Sequence, residues 1–213
     1  MKNKLIIVSG GMDSITLLHK EKENIGMALS FYYGQKHRKE LEFAEWNCQK
    51  LNIPWNKIDL SVLIPFLKSN LLAIGGDIPE GHYENENQKL TVVPFRNGIM
   101  LSIACGIAES NNLKIILIAN HAGDHAIYPD CRENFIIPMS RAMFEGTYEN
   151  IQIEAPFTHI DKRAIGLIGK NLEIDFLKTW SCYKGKEVHC GKCGSCTERK
   201  EALKGFDNTI YGE

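Results

Sequence analysis

The sequence lacks a strong charge of either sign, a long hydrophobic run and an N-terminal targeting signal. Its 25 lysines and arginines against 26 aspartates and glutamates give a formal net charge of −1 over 213 residues. Balanced charge gives no electrostatic reason to bind a nucleic-acid backbone or an anionic membrane. No apolar run approaches the ~20 residues of a membrane span, and the N-terminus leads directly into a strand pattern. We therefore expect a cytoplasmic protein with a small-molecule substrate, no nucleic-acid partner and no membrane association.

The seven cysteines are an odd number and unevenly spaced, which disfavours a disulfide framework. Four of them (Cys182, Cys190, Cys193 and Cys196) lie close together near the C-terminus. In a reducing compartment this pattern favours a metal site. The spacing C-x₂-C-x₂-C with one upstream cysteine matches a closed, structural zinc site. An iron–sulfur cluster is disfavoured because the C-x₃-C-P element is absent. His189 is a weaker ligand candidate because a fourth cysteine is available.

The composition changes near Trp180, where the cysteine-rich tail begins. With 44% hydrophobic residues the chain can form an ordinary core. We therefore predict a main domain over residues 1–179 and a four-cysteine segment over residues 180–213 that packs on it. Within the tail, Ser195 and Glu198 have the spacing of a helix capping box, which places Cys196 at a helix N-terminus where its thiolate is favoured.

Residues 5–18, LIIVSGGMDSITLL, join a buried strand pattern to a helix through a turn with two glycines. Gly10 and Gly11 are expected to let free N–H groups and the helix dipole receive phosphate oxygens. Asp13 beside phosphates is repulsive unless a cation such as Mg²⁺ lies between them. The turn lacks the Walker lysine and the GxGxxG spacing. It resembles the PP-loop of the ATP pyrophosphatase superfamily. The resemblance implies that ATP binds to Val8, Ser9, Gly10, Gly11, Met12, Asp13, Ser14, Ile15 and Thr16.

Strand and helix patterns alternate along the chain. Strands are predicted at 5–8, 25–33, 56–60 and 114–119, and a short extended piece at 151–155. Helices are predicted from 12–14 to 19 and at 38–51, 97–109, 132–147 and 161–171. This order indicates an α/β fold with a doubly wound, mostly parallel sheet, whose ligands collect at the carboxyl ends of the strands. The polar, glycine-rich segment 71–91 is long enough to be a lid or a dimer contact.

Polar side chains follow the predicted 114–119 strand. Asp124, Tyr128, Asp130 and Arg132 offer hydrogen bonds to a purine-like edge, a stacking surface and a carboxylate clamp. A solvated Asp-Pro turn is the alternative interpretation. Cys131 lies among them, but no activating partner is evident from the spacing, so a nucleophilic role is disfavoured.

Basic residues are found at three other predicted element ends. Arg96 opens a buried helix and suits a phosphate or a carboxylate, with Asn97 as the helix cap. Residues 35–38, from Gln35 to Arg38, follow the second strand, and Lys162 begins a helix where it can contact a phosphate or a leaving group. An ordinary capped helix and solvated charges are the alternatives at these positions.

Together these segments resemble the 7-cyano-7-deazaguanine synthase family over nearly the whole chain. The matching stretches are SGGMDSITL, YGQKHRKELEFA, EGHYENENQKLTVVPFRN, HAGDHAIYPDCRENF and TWSCYKGKEVHCGKCGSCTERKEA. The resemblance implies ATP-dependent conversion of 7-carboxy-7-deazaguanine and ammonia to the nitrile, through an adenylated acid and an amide, with Mg²⁺ and Zn²⁺. It implies catalytic roles for Asp13, Arg96, Asp124 and Lys162. The implied substrate-binding residues are Gln35, Arg96, Asn97, Asp124, Tyr128, Asp130 and Arg132.

Two positions depart from the family pattern. Members commonly carry Asp at the position of Tyr32, and Gly or Asn at the position of Phe95, and both positions are expected near the pocket. A reaction that stops at the amide, or one that joins the acid to another amine, therefore stays open, as does a non-catalytic nucleotide-binding module. The family's habit and the 71–91 segment favour a homodimer.

Overall fold

A computed structural model describes residues 2–82 and 86–212. Its centre is a five-stranded parallel sheet in the order β3-β2-β1-β4-β5. The strands are β1 (Lys4–Ile7), β2 (Ile25–Tyr32), β3 (Trp55–Asp59), β4 (Ile115–Leu117) and β5 (Gln152–Glu154). The α-helices are α1 (Met12–Glu21), α2 (Lys39–Lys50), α3 (Arg96–Ser110), α4 (Glu133–Gly146), α5 (Lys162–Asn171) and α6 (Gly194–Ala202). The predicted α/β, doubly wound parallel fold is confirmed.

The element boundaries differ from the predicted ones by a few residues. The extended piece at 151–155 is the edge strand β5, which pairs with β4. β4 is half as long as its apolar pattern, although the Ile118 N–H still donates to Glu154 O at 3.1 Å. An apolar run in the sequence can therefore be longer than the strand that forms hydrogen bonds, because apolar residues in the turn after the strand also pack in the core.

The central strand separates two apolar clusters. Leu5 and Ile6 are both fully buried, and successive strand side chains point to opposite faces. Leu5 packs in the cluster that contains Leu101 and Ala104 of α3. Ile6 packs in the cluster that contains Leu17 of α1 and residues of α5. Burial on both faces explains why β1 reads as a continuous apolar run.

The cysteine-rich tail is attached to the main domain through buried polar contacts. The Trp180 N–H donates to Gly10 O at 2.9 Å. Arg199 of α6 is fully buried, and its guanidinium donates to Phe176 O at 2.7 Å and to Thr179 Oγ1 at 2.9 Å. Helix α6 also packs on α5. The tail therefore contacts the residues that follow β1 directly.

The predicted capping box at Ser195 and Glu198 is wrong. Helix α6 follows Cys193, which is its N-cap, and neither residue caps it through a side chain. Ser195 lies inside the first turn, and the Glu198 carboxylate bonds to Lys162 instead. Cys196 nevertheless lies in the first turn of the helix, as predicted, and its N–H donates to Cys193 O at 2.9 Å.

The cap predicted at Asn97 is also wrong. Phe95 precedes α3 with φ +53°, and the helix begins at Arg96. Asn97 lies in the first turn, where its N–H donates to Asp130 Oδ2 at 2.8 Å. A carboxylate from another element therefore satisfies a donor at this helix start.

The segment 71–91 has ordered parts on both sides of residues 83–85, which lie outside the described residues. Leu71 and Leu72 are fully buried, and Glu86–Thr91 forms a 3₁₀ helix. The Lys36 ammonium donates to Gly75 O and Gly76 O at 3.1 and 2.5 Å. The role of segment 71–91 as a lid or a dimer contact stays a prediction.

One described segment, Glu86–Ser110, is long and apolar enough to cross a membrane by length and composition alone. This corrects the expectation that no run reaches that length. Core helices of globular proteins meet the same criteria, and α3, which forms most of the segment, packs on β1, β4 and α4. The segment is therefore weak evidence for a membrane span.

Candidate active site

A cavity of about 210 Å³ opens at the carboxyl ends of β1, β2 and β4. The order of the strands reverses between β1 and β4, and open parallel sheets bind ligands at such a point. Its wall includes Ser9 after β1, Tyr33 after β2, Asn120 after β4 and Lys162 at the start of α5. The site therefore lies where the sequence predicted it, at strand ends.

The turn after β1 is organised by two serines. Ser14 Oγ accepts from the N–H groups of Ser9 and Gly10 at 3.2 and 3.3 Å, and it lies 3.1 Å from Ser9 Oγ. Ser9 Oγ in turn accepts from the Gly11 N–H at 3.2 Å. A serine-rich turn at a helix start is a candidate cradle for phosphate oxygens. Contrary to the sequence prediction, the N–H groups of Gly10 and Gly11 are not free, because both donate to the serine hydroxyls.

The two glycines of this cradle are required for different physical reasons. Gly10 has φ +97°, and a Cβ there would lie 1.8 Å from Glu40 O of α2. Its small size therefore serves packing between the loop and α2. Gly11 has φ −70° and lines the cavity as the N-cap of α1. Only Gly11 fits the explanation that the sequence offered, a close approach of a ligand to the backbone.

The nine residues predicted to bind ATP divide into two groups. Those that line the cavity are Val8, Ser9, Gly11, Asp13 and Ser14. Met12, Ile15 and Thr16 are fully buried on the core side of α1, and Gly10 packs on α2. The predicted set was a continuous stretch, whereas a helix turns every 3.6 residues and presents only some of its side chains to one side.

Lys162 lies between two carboxylates. Its Nζ is 2.6 Å from Glu198 Oε2 and 3.2 Å from Asp13 Oδ2. Burial alone would lower the pKa of Lys162, but the charges of Asp13, Glu198 and Asp124 outweigh it and raise the pKa above its usual value. The cavity therefore holds a permanent cation beside the phosphate cradle.

Asp124 is fixed by a short helical turn, Ala122–Ala126. Its Oδ2 accepts from the His121 N–H at 3.0 Å, and His121 Nδ1 accepts from the Gly123 N–H at 3.1 Å. This reciprocal cap orients the carboxylate, which lines the cavity.

Arg96 lies in an aromatic part of the cavity. Its Nη1 donates to Tyr33 OH at 3.2 Å, and its guanidinium carbon lies 5.6 and 5.9 Å from the ring centres of Tyr33 and Tyr128. Burial raises the pKa of Tyr33 to about 12, so the phenol stays neutral. Burial alone would lower the pKa of Arg96, but Tyr33, Tyr128 and Asp130 raise it.

Three of the predicted substrate residues do not line the cavity. Gln35 is fully buried, and its amide bonds to Tyr33 N and Glu40 Oε1. Asp130 accepts from Asn97, and Arg132 is exposed and donates through Nε to His125 O at 2.8 Å. These side chains hold the site's backbone in place. Asn97, Tyr128, Asp124 and Arg96 do line the cavity.

Cys131 also lines the cavity, but burial raises the pKa of its thiol well above the usual value. The thiolate needed for a nucleophile is therefore disfavoured. The side chains of Tyr32 and Phe95 do not line the cavity. Tyr32 OH accepts from Arg38 at 2.5 Å, and the Phe95 ring meets the Phe135 ring edge-on at 5.5 Å. Each is followed directly by a lining residue, Tyr33 or Arg96, so both positions are near the cavity although their side chains are not part of its wall.

The sequence did not single out Glu40 or the aromatic wall. The residues concerned are Phe31, Tyr33, Glu40, Trp180, Ser181 and Tyr183. Burial raises the pKa of Glu40 to about 8, and it lowers the pKa of His37 to about 3. His37, predicted within a basic cluster, is thus a buried neutral imidazole. The available signal was that His37 lies in the loop after β2 and Glu40 in the first turn of α2, because that strand end faces the site.

The four tail cysteines converge. The Sγ atoms of Cys182, Cys190, Cys193 and Cys196 all lie within 4.8 Å of one another, and those of Cys190 and Cys196 are 3.9 Å apart. Zn–S bonds of about 2.3 Å in a tetrahedron require S–S distances of about 3.8 Å. The cluster can therefore hold a metal ion, as the spacing predicted.

The sheet order, the serine-rich cradle and the cavity at the switch point define an α/β protein of the PP-loop type. Residues 3–207 match the family described as "Queuosine biosynthesis protein QueC", and the chain belongs to this family. It is 56% identical over 203 residues to the 7-cyano-7-deazaguanine synthase of Porphyromonas gingivalis, covering 95% of this chain and 92% of that protein. It is 46% identical over 217 residues to the synthase of that name from Desulfotalea psychrophila, covering 99% of each.

Two solved structures share the fold at low sequence identity. NMN synthetase from Francisella tularensis superposes with a TM-score of 0.52 at 13% identity, covering 87% of this chain and 68% of that one. An NH3-dependent NAD synthetase from Campylobacter jejuni gives 0.51 at 16% identity, covering 82% and 66%. At such identities the likeness shows the fold alone.

Proposed function

We propose that this chain converts 7-carboxy-7-deazaguanine, ammonia and ATP to 7-cyano-7-deazaguanine. One observation carries the proposal, namely that a single cavity joins the phosphate cradle of Ser9 and Ser14 to the cations of Arg96 and Lys162. The curated relatives that the chain matches over nearly its whole length are named for the synthesis of this nitrile.

The chemistry needs two activations. A carboxylate is a poor electrophile because its leaving group would be oxide, so its oxygen attacks the α-phosphate of ATP and releases pyrophosphate. Ammonia then adds to the acyl carbon, and AMP and a proton leave to give the amide. The amide oxygen then attacks the α-phosphate of a second ATP and releases pyrophosphate, and loss of AMP and of both amide N–H protons forms the C–N triple bond. Each nitrile therefore consumes two ATP molecules and one ammonia.

The cradle would receive the phosphates of ATP. Oδ1 of Asp13 is buried and has no hydrogen-bond partner among residues 2–82 and 86–212. An unpartnered carboxylate oxygen beside a phosphate site fits Mg²⁺, which prefers oxygen ligands and would neutralise phosphate charge. Lys162, which already contacts Asp13, would stabilise the charge that develops on the leaving pyrophosphate.

Arg96 would hold the substrate carboxylate until it is adenylated. Its guanidinium is fixed by Tyr33 and Tyr128, and a fixed guanidinium suits the bidentate binding of a carboxylate. Asp124 would orient the amine nucleophile or the ring, since its carboxylate is fixed at the cavity wall.

The cysteine cluster would hold Zn²⁺. Four thiolates fill a tetrahedral shell, so the ion has no open position for a substrate and would stabilise the tail. Its contribution to the reaction would be structural, through the contact of Trp180 with Gly10 and that of Glu198 with Lys162.

Product analysis tests the proposed reaction. Purified protein is incubated with 7-carboxy-7-deazaguanine, ATP, Mg²⁺ and ammonium, and the products are identified by mass spectrometry. Nitrile with two AMP per turnover is the expected result. Amide alone would replace the proposal by a ligase that stops at the amide, and a conjugate with an added amine would replace it by an amine ligase. If no AMP forms under any condition, the proposed reaction is wrong and the chain is a non-catalytic nucleotide-binding module.

A further inference from the structure

Glu40 presents a buried carboxyl group to the cavity. It lies in the first turn of α2, is 8% exposed, and shares the cavity wall with Tyr33, His37 and Arg96. Its backbone oxygen packs against Gly10 of the phosphate cradle, so the group has a fixed place relative to bound phosphates. The catalytic scheme proposed above does not use it.

The carboxyl group of Glu40 has no full cationic partner. Among residues 2–82 and 86–212, no lysine or arginine nitrogen lies within 4.0 Å of it. Its Oε1 accepts from Gln35 Nε2 at 3.0 Å, and its Oε2 is 3.4 Å from Nε2 of the neutral His37. A carboxylate has about four lone-pair positions, so each oxygen can accept a further hydrogen bond. Burial of an ionised group without a partner is costly, so the ligand-free protein keeps this group protonated, and a ligand with N–H donors would stabilise its ionised form.

Aromatic side chains share the cavity wall with this carboxyl group. The rings of His37 and Tyr183 lie 5.4 Å apart, and the hydroxyl groups of Tyr183 and Tyr128 lie 3.4 Å apart. Trp180 and Tyr33 complete this part of the wall. Aromatic faces stack on planar heterocycles, whereas a carboxylate at the same place adds a directional acceptor.

We propose that Glu40 binds the guanine-type edge of the substrate ring, with its two carboxylate oxygens accepting from the ring N1–H and the 2-amino group. This inference rests on the proposed function, which supplies a ring with these two adjacent donors. Two parallel N–H···O bonds to one carboxylate are a strong, geometrically specific arrangement. Ring recognition is thereby assigned to Glu40 of α2, and the Asp130 and Arg132 predicted from the sequence are not needed for it.

The test combines a change in the protein with a change in the ligand. KM and kcat are measured for 7-carboxy-7-deazaguanine and for the analogue that lacks the 2-amino group, with the wild-type protein and Glu40→Gln. The wild-type protein should prefer 7-carboxy-7-deazaguanine over the analogue without the 2-amino group by roughly 10- to 100-fold in kcat/KM. One hydrogen bond to a charged group accounts for this difference. Glu40→Gln should raise KM for the acid by a similar factor and reduce the preference to a few-fold.

The matched control is Glu42→Gln, which changes an exposed carboxylate on the same helix and should leave both constants unchanged. If wild type converts the acid but shows no preference for the 2-amino group, the assignment of Glu40 is overturned while the proposed function stands. If Glu40→Gln raises the KM of ATP and not that of the acid, Glu40 binds the adenine edge and the inference is again overturned. If wild type neither binds nor converts either acid, the proposed function itself has failed.

The ligand-side comparison uses wild type alone, so it is independent of whether the variant folds. A thermal melt of Glu40→Gln identifies a folding defect separately. An unchanged preference for the 2-amino group in a folded Glu40→Gln variant would also contradict the inference.

Discussion

Lys162 of α5 and Glu198 of α6 form an ion pair with an Nζ–Oε2 distance of 2.6 Å. Glu198 is two residues beyond Cys196, in the helix that begins at the cysteine cluster. Lys162 also contacts Asp13 of the phosphate cradle, so a continuous chain of contacts joins the cluster to the cradle. The cysteine segment therefore positions a side chain of the site besides stabilising the fold.

Replacing Glu198 should weaken this positioning. In Glu198→Gln a hydrogen-bond acceptor stays but its charge is lost, and the Asp13 contact remains. We expect kcat/KM to fall about fivefold, equivalent to ~1 kcal/mol. Steady-state kinetics checks this, with Glu201→Gln, an exposed change on the same helix, as the control. Equal kinetics for both variants would show that Glu198 does not position Lys162.

Removal of the cation itself should have a larger effect. Lys162→Met deletes a charge aimed at the phosphate cradle, and such groups are worth about 10²- to 10³-fold in kcat. Lys170→Met, an exposed change on the same helix, should retain activity. AMP release measured over time distinguishes them, and near-normal AMP release by Lys162→Met would contradict the proposed role.

The cradle glycine should not tolerate a side chain. In Gly10→Ala the Cβ would overlap Glu40 O, and φ is +97°, so we expect a loss of at least ~2 kcal/mol in the free energy of unfolding. Gly106→Ala in α3 is the matched control, since nothing lies within 4 Å of the new Cβ. There the helix should gain ~0.5–1 kcal/mol. Urea unfolding measures both, and a stable Gly10→Ala would contradict the close contact.

Stability should fall as the pH rises from 6.5 to 8. The pKa of Glu40 is raised to about 8 from 4.5, so over this range the ligand-free native state keeps a proton that the unfolded chain has lost. The pKa of His37 is lowered to about 3 from 6.5, so its effect on stability is largely confined to pH below 6.5. The expected loss for Glu40 is about 2 kcal/mol at most. Urea titrations at several pH values should show it in wild type and a flatter profile in Glu40→Gln.

The cysteine cluster should bind one metal ion per chain. Elemental analysis is expected to find zinc, and chelation should lower the melting temperature because the binding free energy is part of the folding free energy. Cys196→Ser should lose the metal, whereas Cys105→Ala, outside the cluster, should keep it. Iron in place of zinc, or full metal content in Cys196→Ser, would contradict the zinc assignment.

Local sequence predicted the parts of this protein that depend on neighbouring residues. The alternation of apolar runs predicted the parallel sheet, and the motif from Ser9 to Ser14 predicted the strand-to-helix turn that lines the cavity. Both rest on short-range physics, namely backbone periodicity and the conformations that glycine allows. The C-x₂-C-x₂-C spacing likewise predicted the converging thiols.

The errors fall where a partner comes from a distant part of the chain. Asn97 does not cap α3, and the Asp130 carboxylate accepts from a backbone N–H at the start of that helix. Glu198 does not cap α6 because its carboxylate binds the ammonium of Lys162, 36 residues away. Glu40 passed unnoticed because a glutamate in a helix is usually solvated. Only the packing of α2 over the cradle removes it from water.

The sequence by itself therefore determined the fold class, the serine-rich turn after β1 and the cysteine cluster that can hold a metal ion, since each is encoded in adjacent or regularly spaced residues. The tertiary structure decided which charges face each other in the cavity. That choice depends on burial and on distances across the sheet, because a carboxylate acts as a helix cap, an ion-pair partner or a ligand contact according to the groups that surround it.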